Sequence, residues 1–139
     1  MATALPSGNL IVPVIKNADE KNLIGLAKEV GVLSQKAREN KLSPMDISGG
    51  TFTLSNVGTF GSLTGTPIIN QPQSAILATG IIKKRAEVIE RDGIDKIEIR
   101  QMMILALSFD HRVIDGFLGG SFVKKIADYL EKFNPNKEI

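Results

Sequence analysis

At 139 residues, 42% hydrophobic and 23% charged, the chain has the composition of one ordinary globular domain, large enough to bury about two-thirds of its unfolded surface and too apolar to remain disordered. Seventeen basic against fifteen acidic side chains leave a formal charge of +2, which gives no electrostatic case for nucleic acid as a partner. The absence of cysteine excludes disulfides, thiolate metal sites and a cysteine nucleophile. With no membrane-length apolar run and no signal-peptide pattern, a soluble cytoplasmic protein is expected.

The chain opens on a short strand-like run, Ala2 to Leu5, then turn chemistry at Pro6-Ser7-Gly8-Asn9 and a stronger strand from Leu10 to Ile15. A strand so close to the first residue reads as a boundary cut inside a domain. From Asp19 to Glu39 the spacing of Leu23, Leu26, Ala27, Val30, Leu33, Ser34 and Ala37 predicts an amphipathic helix, capped by Asn17 or Asp19. Gly31 interrupts it at a cost of about 1 kcal/mol relative to alanine, which predicts close approach by a neighbour. Ser43-Pro44-Met45-Asp46 predicts a single helical turn, ended by Gly49-Gly50.

A strand follows from Thr51 to Ser55, with Phe52 and Leu54 on one face and Thr51, Thr53 and Ser55 on the other, so that Ser55 stands on the polar face at the strand's end. The loop after it, Asn56 to Gly65, contains Gly58, Gly61 and Gly65. No Gly-Lys-Ser/Thr follows, which excludes a P-loop and leaves a long surface turn. Ser74 to Ile82 is apolar enough for an interior strand, emerging into solvent at Lys83-Lys84-Arg85. Glu87 to Arg91 and Ile94 to Arg100 alternate around Asp92-Gly93, a hairpin signal. Met102 to Phe109 is expected to be the central strand. In the last helix Gly119, Phe122, Val123, Ile126, Leu130 and Phe133 form the inward stripe, with Lys124, Lys125, Asp128, Glu131 and Lys132 outside and Asn134-Pro135-Asn136 as the stop.

Between these two elements lies Ser108-Phe109-Asp110-His111-Arg112-Val113-Ile114-Asp115-Gly116, with the only histidine of the chain. An unperturbed imidazole titrates near pH 6.5, so His111 at a strand exit could serve as a general base. On spacing alone a packed ring satisfied by one backbone bond is the readier account of a lone histidine there. Asp115, immediately before the helix, has the chemistry of an N-cap.

Asp110-His111-Arg112-Val113-Ile114-Asp115-Gly116 resembles the catalytic signature of the dihydrolipoamide acyltransferases, the core components of 2-oxo acid dehydrogenase complexes. A second block, Gly49 to Gly58 followed by Gly61 and Thr66 to Leu77, resembles the same family in the same order, and the likeness runs from about Leu10 to Phe133. Chloramphenicol acetyltransferase shares that fold but has a second histidine where this chain has Asp110, which disfavours an antibiotic acetyltransferase.

The resemblance sharpens an α+β, mixed α/β sandwich to the chloramphenicol acetyltransferase-like fold, incomplete at its N-terminus. It implies that residues 1–139 are the C-terminal portion of a catalytic domain, without the lipoyl and subunit-binding domains. The implied reaction is acyl transfer between the thiol of a dihydrolipoyl group, carried on a domain outside this chain, and the thiol of coenzyme A, with no metal; the residues that bind coenzyme A are not identified. His111 matches the family's base and Ser55 the hydroxyl donor to the oxyanion. Asp115 matches an aspartate that organises the site through an ion pair with an arginine of the N-terminal portion. Asn56 and Asp110 match the motifs without an assigned contact. A trimer-based homo-oligomer with its active site between neighbours is implied, with the decarboxylase and dihydrolipoyl dehydrogenase components as partners, and neither nucleic acid nor membrane. The compartment is the cytoplasm, or the mitochondrial matrix in a eukaryote. The alternative is an inactive folding and assembly module of the complex core.

Overall fold

The computed structural model describes residues 1–134. Strands β1 (Thr3–Ala4) and β2 (Leu10–Ile11) form a small antiparallel pair. Each is shorter than its apolar run predicts, because Pro13 has no N–H to extend a ladder and the Val14 N–H turns away to the Asp46 carbonyl, 2.8 Å. The pair is tied to the main sheet where the Ala2 N–H donates to the Leu54 carbonyl, 2.8 Å.

Helix α1 runs Leu23–Arg38 and is capped by Asn22, whose side chain accepts from the Gly25 N–H at 2.9 Å. The helix therefore starts about a turn later than the expected cap at Asn17 or Asp19. Asn17 takes a left-handed conformation and opens a separate 3-10 turn, Ala18–Glu20, which β-like Lys21 terminates. Of the predicted stripe, Leu33 and Ala37 are buried and Leu26 and Val30 half-buried, while Leu23 and Ala27 are exposed. Gly31 has open space where a side chain would stand, so the close neighbour expected there is absent among the described residues. The short turn after α1, Pro44–Ile47, has the capping box that Ser43 and Asp46 predict, with the Ser43 N–H donating to the Asp46 carboxylate at 2.8 Å.

The main sheet has three strands in the order β3 (Thr53–Asn56), β4 (Ala75–Thr79), β7 (Leu105–Phe109). β3 and β4 run parallel, with Ser55 opposite Ala78; β4 and β7 run antiparallel, with Ala78 opposite Ala106 and Ala75 opposite Phe109. The central strand is thus β4, and not the run from Met102 to Phe109. Ala75 to Ala78 are buried, whereas every residue of β7 is half-buried. Met102 belongs instead to the preceding hairpin, β5 (Lys83–Arg91) and β6 (Ile94–Met102), and a break at Met103 and Ile104 separates it from β7. Asp92 and Gly93 both have positive φ, the conformation a two-residue hairpin turn requires. Lys83-Lys84-Arg85, expected at the exit of the interior strand, is exposed and begins β5.

Alternation puts Phe52, Ala75, Leu107 and Phe109 on the sheet face that helix α2 (Gly116–Glu131) covers, and together with Leu118, Gly119 and Phe122 of α2 three of them border an apolar cavity of about 220 Å³. Phe52 and Phe122 meet edge to face, centroids 5.6 Å apart. The stripe of α2 is only partly covered. Gly119 is buried and Val123 and Ile126 half-buried, but Phe122, Leu130 and Phe133 remain exposed. Of the expected stop, Pro135 and Asn136 lie outside the described residues. On the other sheet face Thr53, Ile76 and Ala78 are buried. The threonine expected on a polar face is satisfied inside, its hydroxyl donating to Gln73 Oε1 at 2.6 Å.

The loop after β3 is more than a surface turn. The Ile81 N–H donates to the Ser62 carbonyl at 2.9 Å, and Gly58 and Gly80 approach so closely that a Cβ on Gly58 would stand 2.6 Å from the Gly80 carbonyl. The loop is pinned to the end of β4 by backbone contact that two glycines permit.

Candidate functional site

The turn between β7 and α2 is built from its own sequence. At the end of β7 the Asp110 N–H donates to the Ser74 carbonyl, 2.8 Å, fastening the turn to the start of β4. The Asp110 carbonyl accepts from the Val113 N–H at 3.1 Å and the Ile114 N–H at 3.0 Å, so His111 and Arg112 are the two central residues of a tight turn. The Asp110 side chain closes it from outside. Its carboxylate accepts the Arg112 backbone N–H at 3.0 Å and takes a two-pronged contact from the guanidinium, Nε at 2.9 Å and Nη2 at 2.6 Å. Those bonds hold the Asp110 carboxyl down at about 2 and raise the Arg112 guanidinium.

Asp115 then caps α2, its carboxylate accepting the Leu118 N–H at 2.7 Å. Of the uses open to Asp115, capping is the one observed, while Arg112 is engaged by Asp110 and not by Asp115. His111 is exposed, and among the described residues its ring makes no hydrogen bond. The packed ring satisfied by one backbone bond is therefore not found. Its one ring contact is Phe109, centroids 5.5 Å apart and planes tilted by 41°. An imidazole presented to solvent at the tip of a fixed turn can exchange a proton with a bound thiol.

Ser55 lies elsewhere. It is half-buried near the end of β3, its hydroxyl bonded to nothing among the described residues and so free to donate. Next to it Asn56 is used structurally, its side chain accepting the Gly58 N–H at 2.9 Å. Because β7 runs against β4, the row of Ser55 is the row of Ala106, and the chain must travel three more residues to Phe109 and two beyond to His111. At roughly 3.4 Å per residue and 4.8 Å per strand, Ser55 and Phe109 are about 14 Å apart, on opposite sheet faces, with His111 farther still. A base and an oxyanion donor serving one carbonyl must both lie within about 3 Å of the reacting group. Within one chain Ser55 and His111 do not meet.

The sequence carries no sign that Gln73 accepts from Thr53 or that the Phe109 ring meets His111, and it shows Gly119 only as a glycine inside the helical stripe.

Among the described residues no three His, Asp or Glu side chains are placed to hold a metal ion, and no helix is long and apolar enough to cross a membrane. The family of 2-oxoacid dehydrogenases acyltransferases, in its catalytic domain, matches residues 1–137. A dihydrolipoyllysine-residue succinyltransferase component of the 2-oxoglutarate dehydrogenase complex from Rickettsia felis is 54% identical over 128 residues, 92% of this chain and 30% of that protein. The structure of Azotobacter vinelandii dihydrolipoamide acetyltransferase superposes with a TM-score of 0.85 at 40% identity, covering 94% of this chain and 52% of that one. That protein was studied for the role of a serine, a histidine and an asparagine in its catalytic mechanism, and the asparagine follows the histidine by four residues, as Asp115 follows His111. The cubic core of a pyruvate dehydrogenase multienzyme complex matches equally, with a TM-score of 0.85 at 40% identity over 94% of this chain and 52% of that one. The chain thus spans less than a third of the Rickettsia relative and about half of the solved cores. A match over nearly its whole length, the signature turn at the exit of β7 and the superposition on these cores together show that the chain belongs to the 2-oxo acid dehydrogenase acyltransferases and has the chloramphenicol acetyltransferase-like α+β fold of their catalytic domain.

Proposed function

We propose that this chain is the C-terminal part of a catalytic domain that transfers an acyl group between the thiols of a dihydrolipoyl group and coenzyme A. The observation that carries this reading is the turn Asp110 to Asp115, whose backbone is held by hydrogen bonds and whose charged side chains Asp110, Arg112 and Asp115 are all engaged, while the His111 ring stays free of hydrogen bonds among the described residues. His111 takes the proton of the attacking thiol. The thiolate forms a carbon–sulfur bond to the thioester carbonyl, and the Ser55 hydroxyl donates to the oxygen that becomes negative. Collapse breaks the other carbon–sulfur bond, and the departing thiolate recovers the proton from His111. A free thiol is only a few per cent ionised at neutral pH, which is why the step needs a base. No acyl-enzyme is required.

The separation of Ser55 from His111 favours a site assembled from two copies, Ser55 of one subunit facing His111 of the next. Such a site suits a trimer-based homo-oligomer and would give the exposed apolar residues of α2 and β3 a covering neighbour. Asp115 acts by setting the start of α2 and hence the pose of the turn. The decarboxylase and dihydrolipoyl dehydrogenase components, and a lipoyl group on a separate domain, are the corresponding partners, in the cytoplasm or mitochondrial matrix.

The test is steady-state transfer from acyl coenzyme A to dihydrolipoamide by the full-length protein. His111→Ala is expected to lower turnover by roughly 10²–10⁴-fold and Ser55→Ala by roughly 10²–10³-fold, each with little change in the Michaelis constants. Near-normal turnover in a correctly assembled His111→Ala protein would remove the assignment.

A further inference from the structure

We infer that Phe109 is a positioning residue for His111 and that Gly119 is the clearance that lets it act, an inference that rests on the acyl-transfer reading above. The backbone of the turn is fixed by the Asp110 carbonyl, the Asp110 carboxylate and the Ser74 carbonyl, but none of these reaches the imidazole. Two free torsions therefore remain between a fixed backbone and the reacting nitrogen. With no hydrogen bond to the ring, its orientation within the chain is governed by the Phe109 ring, 5.5 Å away and tilted at 41°, a separation and inclination at which aromatic rings attract.

The Phe109 ring is itself placed by α2. A Cβ at Gly119 would fall 2.6 Å from Cε1, 2.9 Å from Cζ and 3.1 Å from Cδ1 of Phe109, the first two closer than real side-chain contacts come and the third tighter than most, so the ring would have to shift. The helix can rest on this ring only because residue 119 has no side chain. Its neighbour Gly120 meets nothing within 4 Å, so the demand is specific to one position and is not a general need for small residues in α2. Gly119 also is the buried residue of that helix. The contacts thus run from helix to Phe109 to His111, and they fix the base without touching substrate.

The experiment is a double-mutant cycle in the full-length protein, read by acyl transfer to dihydrolipoamide at saturating substrate. Phe109→Leu keeps an apolar side chain in place but removes the ring plane. Misplacement of a reacting group by about 1 Å costs up to about 10²-fold, so turnover should fall by about 10- to 100-fold with Michaelis constants unchanged. In the His111→Ala background the same substitution should cost less than about twofold, because the group it positions is gone. Gly119→Ala should lower turnover likewise by pushing the ring, and Gly120→Ala should leave it unaltered. An equal fold-loss from Phe109→Leu in both backgrounds would mean that the ring only supports the fold and would overturn the proposal. So would wild-type turnover in Gly119→Ala, a result that remains decisive should Phe109→Leu fail to assemble. If His111→Ala alone keeps its turnover, the acyl-transfer assignment of His111 fails first; if it loses turnover while Phe109→Leu and Gly119→Ala do not, only the positioning claim fails.

Discussion

One substitution, glycine to alanine, should have opposite effects at positions 80 and 31. At Gly80 a Cβ would stand 1.8 Å from the Leu63 carbonyl oxygen and 2.7 Å from its carbon, both backbone atoms. Relief requires the two segments to part by more than about 1 Å, since ordinary packing contacts begin near 3.5 Å. The parting strains the Ile81 N–H to Ser62 carbonyl bond, 2.9 Å, and the Gly80 N–H to Ile104 carbonyl bond, also 2.9 Å. Overpacking costs about 1–3 kcal/mol and each of two weakened bonds about 1 kcal/mol, so Gly80→Ala should destabilise by about 3–5 kcal/mol. Gly31 meets nothing and lies within α1, so Gly31→Ala should stabilise by about 0.5–1 kcal/mol. Urea unfolding of the full-length protein, followed by circular dichroism and compared at equal slope, measures both. Gly80→Ala should also lower turnover, because the displaced loop begins two residues after Ser55. A Gly80→Ala protein within about 1 kcal/mol of its parent would refute the claim that the loop is locked onto β4 through this contact.

Asp115→Ala should cost about 1 kcal/mol through loss of the cap on α2, whereas Asp115→Asn, which keeps an acceptor for the Leu118 N–H, should cost only a few tenths; thermal unfolding separates them. Asp110 has its folded carboxyl lowered to about 2 from an ordinary 3.8, so what its clasp on Arg112 contributes is present above the ordinary value and lost as pH falls through about 2. Carbon-detected NMR titration should find the Asp110 carboxyl still ionised at pH 3, and Arg112→Gln should return it toward the ordinary range. With Arg112 86% exposed, the stability at stake is small and salt-sensitive.

Features set by neighbours in sequence were legible without a structure. Asp92-Gly93 made its turn, Ser43 to Asp46 made its capping box, and Asp115 capped the helix it precedes, because each depends on chemistry within a few residues. Features set by strand direction were not. The apolar run before His111 is more hydrophobic than its burial warrants, and β4 is central because it has partners on both sides, which composition does not encode. The same holds for the distance between Ser55 and His111. Both positions follow from the motifs, but only the parallel pairing of β3 with β4 and the antiparallel pairing of β4 with β7 put them at opposite ends. Glycines divide likewise: Gly31 and Gly80 look alike in sequence, and only packing shows which one another backbone needs.

Co-assembly of two inactive proteins tests directly whether the proposed site is shared between copies. Ser55→Ala and His111→Ala chains are to be mixed under dissociating conditions, reassembled, and assayed for acyl transfer. If Ser55 of one copy works with His111 of the next, a random mixture of cyclic assemblies contains intact pairs at roughly a quarter of its sites, and activity should return to about that share of wild type. If both groups serve within one chain, every site in the mixture lacks one of them, and the reassembled protein should be no more active than its two parents.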